Sequence, residues 1–116
     1  MPFTEIELRY IENTVGKLCT RISPPEIRDE LRFVYEVQAL DVVIYEKRPS
    51  WRKPTEWSKM GVAKFKYSRK DGNWKLYWMR RDLKWHLYDM DMPGGTKKLE
   101  LLVKEVDSDP HGAFFG

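Results

Sequence analysis

The apolar period of this chain changes once, at Ser23-Pro24-Pro25, and that change constrains the fold more than any other feature. Upstream, Leu8, Ile11, Val15, Leu18 and Ile22 recur at three- and four-residue spacing, the apolar stripe of one helix. Thr4 followed by Glu7 fits a capping box, in which each side chain satisfies a free backbone N–H at the helix start. The two prolines end that helix, since proline lacks an N–H and drives the preceding residue out of helical space. Downstream, Leu31, Phe33, Tyr35 and Val37 alternate with Arg32, Val34, Glu36 and Gln38, a period of two that predicts a strand.

Four more strands follow. A turn near Ala39-Leu40 leads into Asp41-Val42-Val43-Ile44-Tyr45-Glu46-Lys47, rich in β-branched residues. Arg48 to Ser58, with two prolines and no period, reads as a long irregular loop. Asp71-Gly72 is a hairpin signal, because both residues tolerate positive φ. Taken as a two-residue turn, it sets Phe65 opposite Trp78, Tyr67 opposite Leu76, Lys66 opposite Tyr77 and Lys64 opposite Met79. A second turn at Arg81-Asp82 would place Trp85 beside Trp78, Leu87 beside Leu76, His86 beside Tyr77 and Lys84 beside Met79. Asp89 to Gly95 reads as a turn-rich connector, and Leu99, Leu102, Val103 and Val106 as a second amphipathic helix capped by Thr96. The ending is too apolar for a free tail, so Phe114 or Phe115 should dock on the domain. The expected fold is α+β, a five-strand antiparallel meander flanked by an N-terminal and a C-terminal helix in a two-layer sandwich. With 116 residues, 1–116 is expected to be a single domain that buries about two-thirds of its unfolded surface.

Charge narrows the function classes. Between Arg48 and His86 there are 12 Lys and Arg against 3 acids, and all five tryptophans lie there, although the whole chain is only +3. The start lacks the basic and apolar regions of a signal peptide, no apolar run spans a membrane, and the single Cys19 suits a reducing compartment. A cytoplasmic protein without membrane attachment is expected.

The alternation sorts the middle strands into an apolar face and a basic face with aromatic members. Lys64, Lys66, Lys75 and Lys84, with Arg80 and Arg81 at the adjoining turn, would neutralise phosphates, while Tyr77 and His86 would stack or hydrogen-bond. Nucleic acid is the natural ligand of such a surface. The alternative is a protein-interaction or regulatory module that uses Trp51, Arg52 and Trp57 in the loop to hold an acidic partner, since tryptophan and arginine dominate interface hot spots. Either ring, Trp57 above all, would otherwise fold back as a lid over the core.

Two further constellations are weaker. Asp89, Asp91, Asp107, Asp109, His86 and His111 lack any metal-ligand spacing. Glu36, Asp41, Glu46 and Lys47 form a distant nuclease-like set: the alternation would put Glu36 and Glu46 on one face with Lys47 pointing away, and the Glu-x-Lys spacing is absent. Cys19 has no partner that would activate it and reads as a packing residue. No catalytic signature is present, which favours a non-enzymatic module without metal or cofactor.

The string Tyr77-Trp78-Met79-Arg80-Arg81-Asp82-Leu83-Lys84-Trp85-His86 resembles a family of small bacterial proteins described as a domain of unknown function. Pro24-Pro25-Glu26-Ile27-Arg28, Arg48-Pro49-Ser50-Trp51, Ala63-Lys64-Phe65 and the ending from Asp109 to Gly116 share the resemblance, which covers nearly the whole chain. It implies a bacterial or phage origin and brings no activity or site residue with it.

Overall fold

The computed structural model describes residues 2–27, 29–53, 55–88 and 95–115. The first helix begins as the capping box requires: Glu7 N–H donates to Thr4 Oγ1 at 3.2 Å and Thr4 N–H to Glu7 Oε1 at 2.8 Å. It runs as α1 (Glu5–Ile11), a π-helical turn (Glu12–Gly16) and α2 (Lys17–Ile22). The wide turn sits where Thr14 Oγ1 donates back to the Tyr10 carbonyl at 2.8 Å, a bond that competes with the regular ladder. Ile11, Val15 and Leu18 are buried as the stripe predicts, while Leu8 stays largely exposed. Past Ile22, Ser23 Oγ donates to the Cys19 carbonyl at 2.7 Å and accepts from Phe33 N–H at 2.9 Å, so the helix end is tied to the first strand.

Strands β1 (Arg32–Gln38), β2 (Asp41–Pro49), β3 (Trp57–Ser68), β4 (Asn73–Met79) and β5 (Trp85–Leu87) form one antiparallel sheet in the order β1-β2-β3-β4-β5. This is the expected α+β meander with its two helical arms. The long loop is shorter than its prolines suggest. Arg48, Pro49, Trp57 and Ser58 belong to the ladder, and Ser50 N–H closes the connection on the Glu56 carbonyl at 2.7 Å. Pro49 is tolerated because it ends its strand.

Two hairpin registers differ from the sequence reading, with opposite consequences. The β3–β4 turn uses four residues, 69–72, so Phe65 faces Leu76, Tyr67 faces Trp74, Lys66 faces Lys75 and Lys64 faces Tyr77. That is a slip of two, and a slip of two leaves every side chain on its face. Gly72, at φ 66°, supplies the left-handed residue this turn needs. The β4–β5 turn uses five residues, 80–84, with Leu83 at φ 60° and Lys84 N–H donating to Asp82 Oδ1 at 3.0 Å. Met79 therefore faces Trp85, Trp78 faces His86 and Tyr77 faces Leu87. This slip is odd, so Trp85 and Leu87 move to the face of Tyr77, and His86 moves to the helix side with Trp78. Lys84 lies in the turn, outside any strand.

The helices cover one face of the sheet. Ile11, Val15, Leu18, Leu99, Leu102 and Val106 pack with Val42, Ile44, Ala63, Phe65 and Leu76. A bulge between β2 and β3 at Ile44/Tyr45 brings both Val62 and Ala63 into this core. Helix α3 (Leu99–Ser108) has no side-chain N-cap. Thr96, expected there, instead pairs backbone to backbone with Trp74, and Tyr10 Oη accepts Leu99 N–H at 3.1 Å. Both terminal phenylalanines dock: Phe114 on Tyr88 at 5.1 Å between centroids and Phe115 edge-on to Phe33 at 5.7 Å. Asp109 holds the tail, accepting from the N–H groups of Phe114 and Phe115 at 3.1 and 2.9 Å. Most of the expected connector, including Asp89 and Asp91, lies outside the described residues. Among the described residues no helix is long and apolar enough to cross a membrane.

Candidate nucleic-acid interface

The sheet face opposite the helices gathers basic residues from all four longer strands; Arg48 of β2 has the opposite parity. Pairing parity places Arg32, Glu36, Asp41, Lys47, Lys59, Lys64, Lys66 and Lys75 on it, six cations against two carboxylates. Lys64, Lys66, Lys75 and Tyr77 are thus brought together as the sequence reading required. Arg32, Lys47 and Lys59 join them, and that reading had assigned none of the three to this surface. Arg32 was legible in the alternation of the first strand. Lys59 was obscured because it follows directly on the stretch read as an irregular loop and was given no place in a strand register.

Like charges stand directly opposite one another. Arg32 faces Lys47, Lys47 faces Lys59, and Lys66 faces Lys75 across adjacent strands. Such pairs destabilise a sheet. The two carboxylates relieve only part of this: Glu36 holds Lys59 at 3.0 Å and Asp41 holds Lys64 at 3.6 Å. The Lys59 hydrogen bond keeps the Glu36 carboxyl below its ordinary range, and Glu36 in turn raises the Lys59 ammonium. Arg32, Lys47, Lys66 and Lys75 have no carboxylate within ion-pair distance among the described residues.

Aromatic rings lie among the cations. Arg32 sits 4.1 Å above Trp57, Lys59 4.4 Å above Tyr45, and Lys64 5.9 Å from both Tyr77 and Trp85. These contacts hold flexible cationic side chains close to the sheet. Val43, between Glu36 and Lys64 across the ladder, is only 2% exposed although it points away from the helix-side core. Trp85 reaches across to β3 at Gly61, where an added Cβ would lie 2.7 Å from its ring.

The remaining predicted residues are placed elsewhere. Arg80, Arg81 and Lys84 are exposed on the β4–β5 turn. His86, on the helix side, contacts Asp82 at 2.9 Å, and this bond keeps the Asp82 carboxyl below its ordinary range. Trp51 projects from the loop, 84% exposed, with the Arg52 guanidinium 4.9 Å from its ring. Trp57 neither belongs to that loop nor covers the helix-side core. Its place on β3 opposite Pro49 puts it on the basic face.

The weaker constellations come apart. Glu36 and Glu46 stand on opposite faces, because Glu46 pairs with Phe33 while Glu36 pairs with Val43. Glu46 binds Arg48. Asp107 pairs with Arg21 at 2.8 Å, and Asp109 caps the tail. Among the described residues no three His, Cys, Asp or Glu side chains gather into a metal-holding group. Burial, followed by the Glu12 charge, pushes the Cys19 thiol up to about 12, which leaves it protonated and inert.

No curated protein and no solved structure matches the chain. Its sequence from 3 to 116 matches the model of DUF3024, described as a domain of unknown function, and the chain therefore belongs to that family.

Proposed function

We propose that the exposed sheet face binds the phosphate backbone of nucleic acid. The observation that carries this reading is the pair of cationic rows, Arg32-Lys47-Lys59 and Lys66-Lys75, within each of which the ladder holds like charges opposite one another against their own repulsion. A polyanion laid across these rows would turn that repulsion into attraction and release its counterions. Because the rings of this face already lie beneath cations, backbone contact dominates and sequence preference is small. Leu87 takes the place opposite Tyr77 that the sequence reading assigned to His86, and Trp85 joins the same face opposite Met79. Arg80, Arg81 and Lys84 extend the positive field beyond the end of β4.

The test is fluorescence polarisation of labelled single-stranded DNA and RNA at several salt concentrations. Neutralising about four phosphates predicts a log–log salt slope near −2.8, hence a roughly 50-fold loss between about 50 and 200 mM salt. A Lys66→Gln/Lys75→Gln variant should reduce that slope by about 1.4. Its thermal stability should stay equal or rise, because a facing like-charge pair is removed. Absence of binding at low salt, or a slope unchanged in the double variant, overturns the reading.

The exposure of Trp51 beneath Arg52 supports a second reading, in which the loop holds an acidic protein partner. Trp51→Ala separates the two: it should abolish partner capture and leave the oligonucleotide salt slope intact.

A further inference from the structure

A cleft of about 570 Å³ opens between the β4–β5 turn and the C-terminal tail, lined by Trp78, Met79, Arg80, Arg81, Asp82, Gly112 and Ala113. It lies outside the lysine rows, and its two walls are about thirty residues apart in sequence. We propose that this cleft binds a nucleotide phosphomonoester, with Arg80 and Arg81 on the phosphate and Trp78 supplying the apolar wall for the nucleoside. The ligand class rests on the nucleic-acid reading above; the geometry is independent of it.

Three observations support the assignment. First, neither arginine is within ion-pair distance of a carboxylate among the described residues, although Asp82 follows Arg81 directly and lies in the field of Arg80. Both oxygens of Asp82 are engaged elsewhere: Oδ1 accepts Lys84 N–H at 3.0 Å and Oδ2 meets His86 Nε2 at 2.9 Å. Two guanidinium forks are thus left with unused donors, and a fork matches phosphate oxygens in a bidentate geometry that lysine cannot reproduce. A phosphomonoester carries about −1.5 to −2 charges at neutral pH, which matches two arginines better than one diester phosphate does.

Second, the Arg80 guanidinium lies 5.3 Å from the Trp78 ring, so charge and apolar surface are presented together. Third, the walls are held. Arg80 N–H reaches the Lys84 carbonyl at 3.2 Å, Leu83 N–H reaches the Arg80 carbonyl at 2.9 Å, and Gly112 N–H reaches the Asp109 carbonyl at 3.1 Å. Asp109 fixes the tail beyond Gly112 through Phe114 and Phe115. The volume falls within the roughly 300–1,000 Å³ of small-ligand sites.

The experiment titrates the full chain with adenosine 5′-monophosphate and, separately, adenosine, following backbone and indole N–H signals by NMR. Saturable shifts confined to Trp78, Arg80, Arg81 and Gly112 are expected with the monophosphate. Adenosine should produce at least tenfold weaker binding, and Arg81→Gln should abolish the localised shifts. Arg81→Lys, which keeps the charge and loses the fork, should weaken binding nearly as much. A response equal for adenosine, or none with the monophosphate, overturns the assignment even where oligonucleotides still bind the lysine face. A response to the monophosphate without oligonucleotide binding upholds the cleft and removes the face. A second arm identifies the source of the ligand. About tenfold tighter binding of a 5′-phosphorylated oligonucleotide than its 5′-hydroxyl counterpart assigns the cleft to strand ends; equal affinities assign it to free nucleotides.

Discussion

Replacing Gly61 by alanine tests how the basic face is built. Gly61 lies in β3 opposite Tyr45, directly beneath Trp85. An added Cβ would stand 2.7 and 2.9 Å from two ring carbons of Trp85 and 3.0 Å from Met79 Cε. Backbone conformation does not forbid alanine, because Gly61 is not among the positive-φ residues. Alanine would even gain about 0.5–1 kcal/mol over glycine through lower chain entropy in the unfolded state. Against that stands overpacking of a large ring, which costs about 1–3 kcal/mol. The net expectation is a loss of about 1–2 kcal/mol, a fall in Tm of roughly 4–8 °C for a domain of this size. Thermal melts followed by circular dichroism read the stability, and the Trp85 indole N–H signal reads the ring's displacement. Gly72→Ala is the control: nothing lies within 4 Å of its Cβ, so its cost comes from φ 66° alone and the Trp85 signal should not move. A Gly61→Ala protein as stable as the parent, with the indole signal unshifted, would show that Trp85 does not lie on β3 and that the five-residue register of β4–β5 is wrong.

Other consequences concern the layer on the opposite face. Tyr10→Phe leaves Leu99 N–H without its acceptor and frees Glu100, so urea unfolding should show a loss of about 1–2 kcal/mol at unchanged m-value; a loss below about 0.3 kcal/mol contradicts the cap. Arg69 and the Thr4 backbone hold the Glu7 carboxyl below its ordinary 4.5. A lowered folded-state value means that stability is present above the unfolded value and disappears as pH falls through the folded one. Glu7→Gln should therefore be less stable than the parent near pH 7 and converge with it as the pH falls below the lowered folded-state value; stability curves that stay parallel into acid would contradict the pairing.

How much of this was legible beforehand differs element by element. The capping box at Thr4 and Glu7, the Pro24-Pro25 break and the alternation from Leu31 are local signals, and local signals survive into the fold because backbone sterics and hydrogen bonding act over a few residues. The π-helical turn was not legible, since it interrupts the ladder without moving Ile11, Val15 and Leu18 off the buried side. Thr96 looked like a cap because its residue type suits one; a pairing with Trp74, distant in sequence, claimed it instead.

Lysine-rich strands with an apolar inside and a charged outside followed from sequence alone, because side chains alternate along any strand and an even error in register is invisible to that alternation. Turn length was decided by tertiary structure. The five residues of 80–84 reverse β5, exchanging His86 for Trp85 on the basic face and leaving Arg80 and Arg81 beside the tail. Juxtapositions across 30 residues depend on how the helix layer, the sheet and the chain end close around one core, and no local pattern encodes that closure.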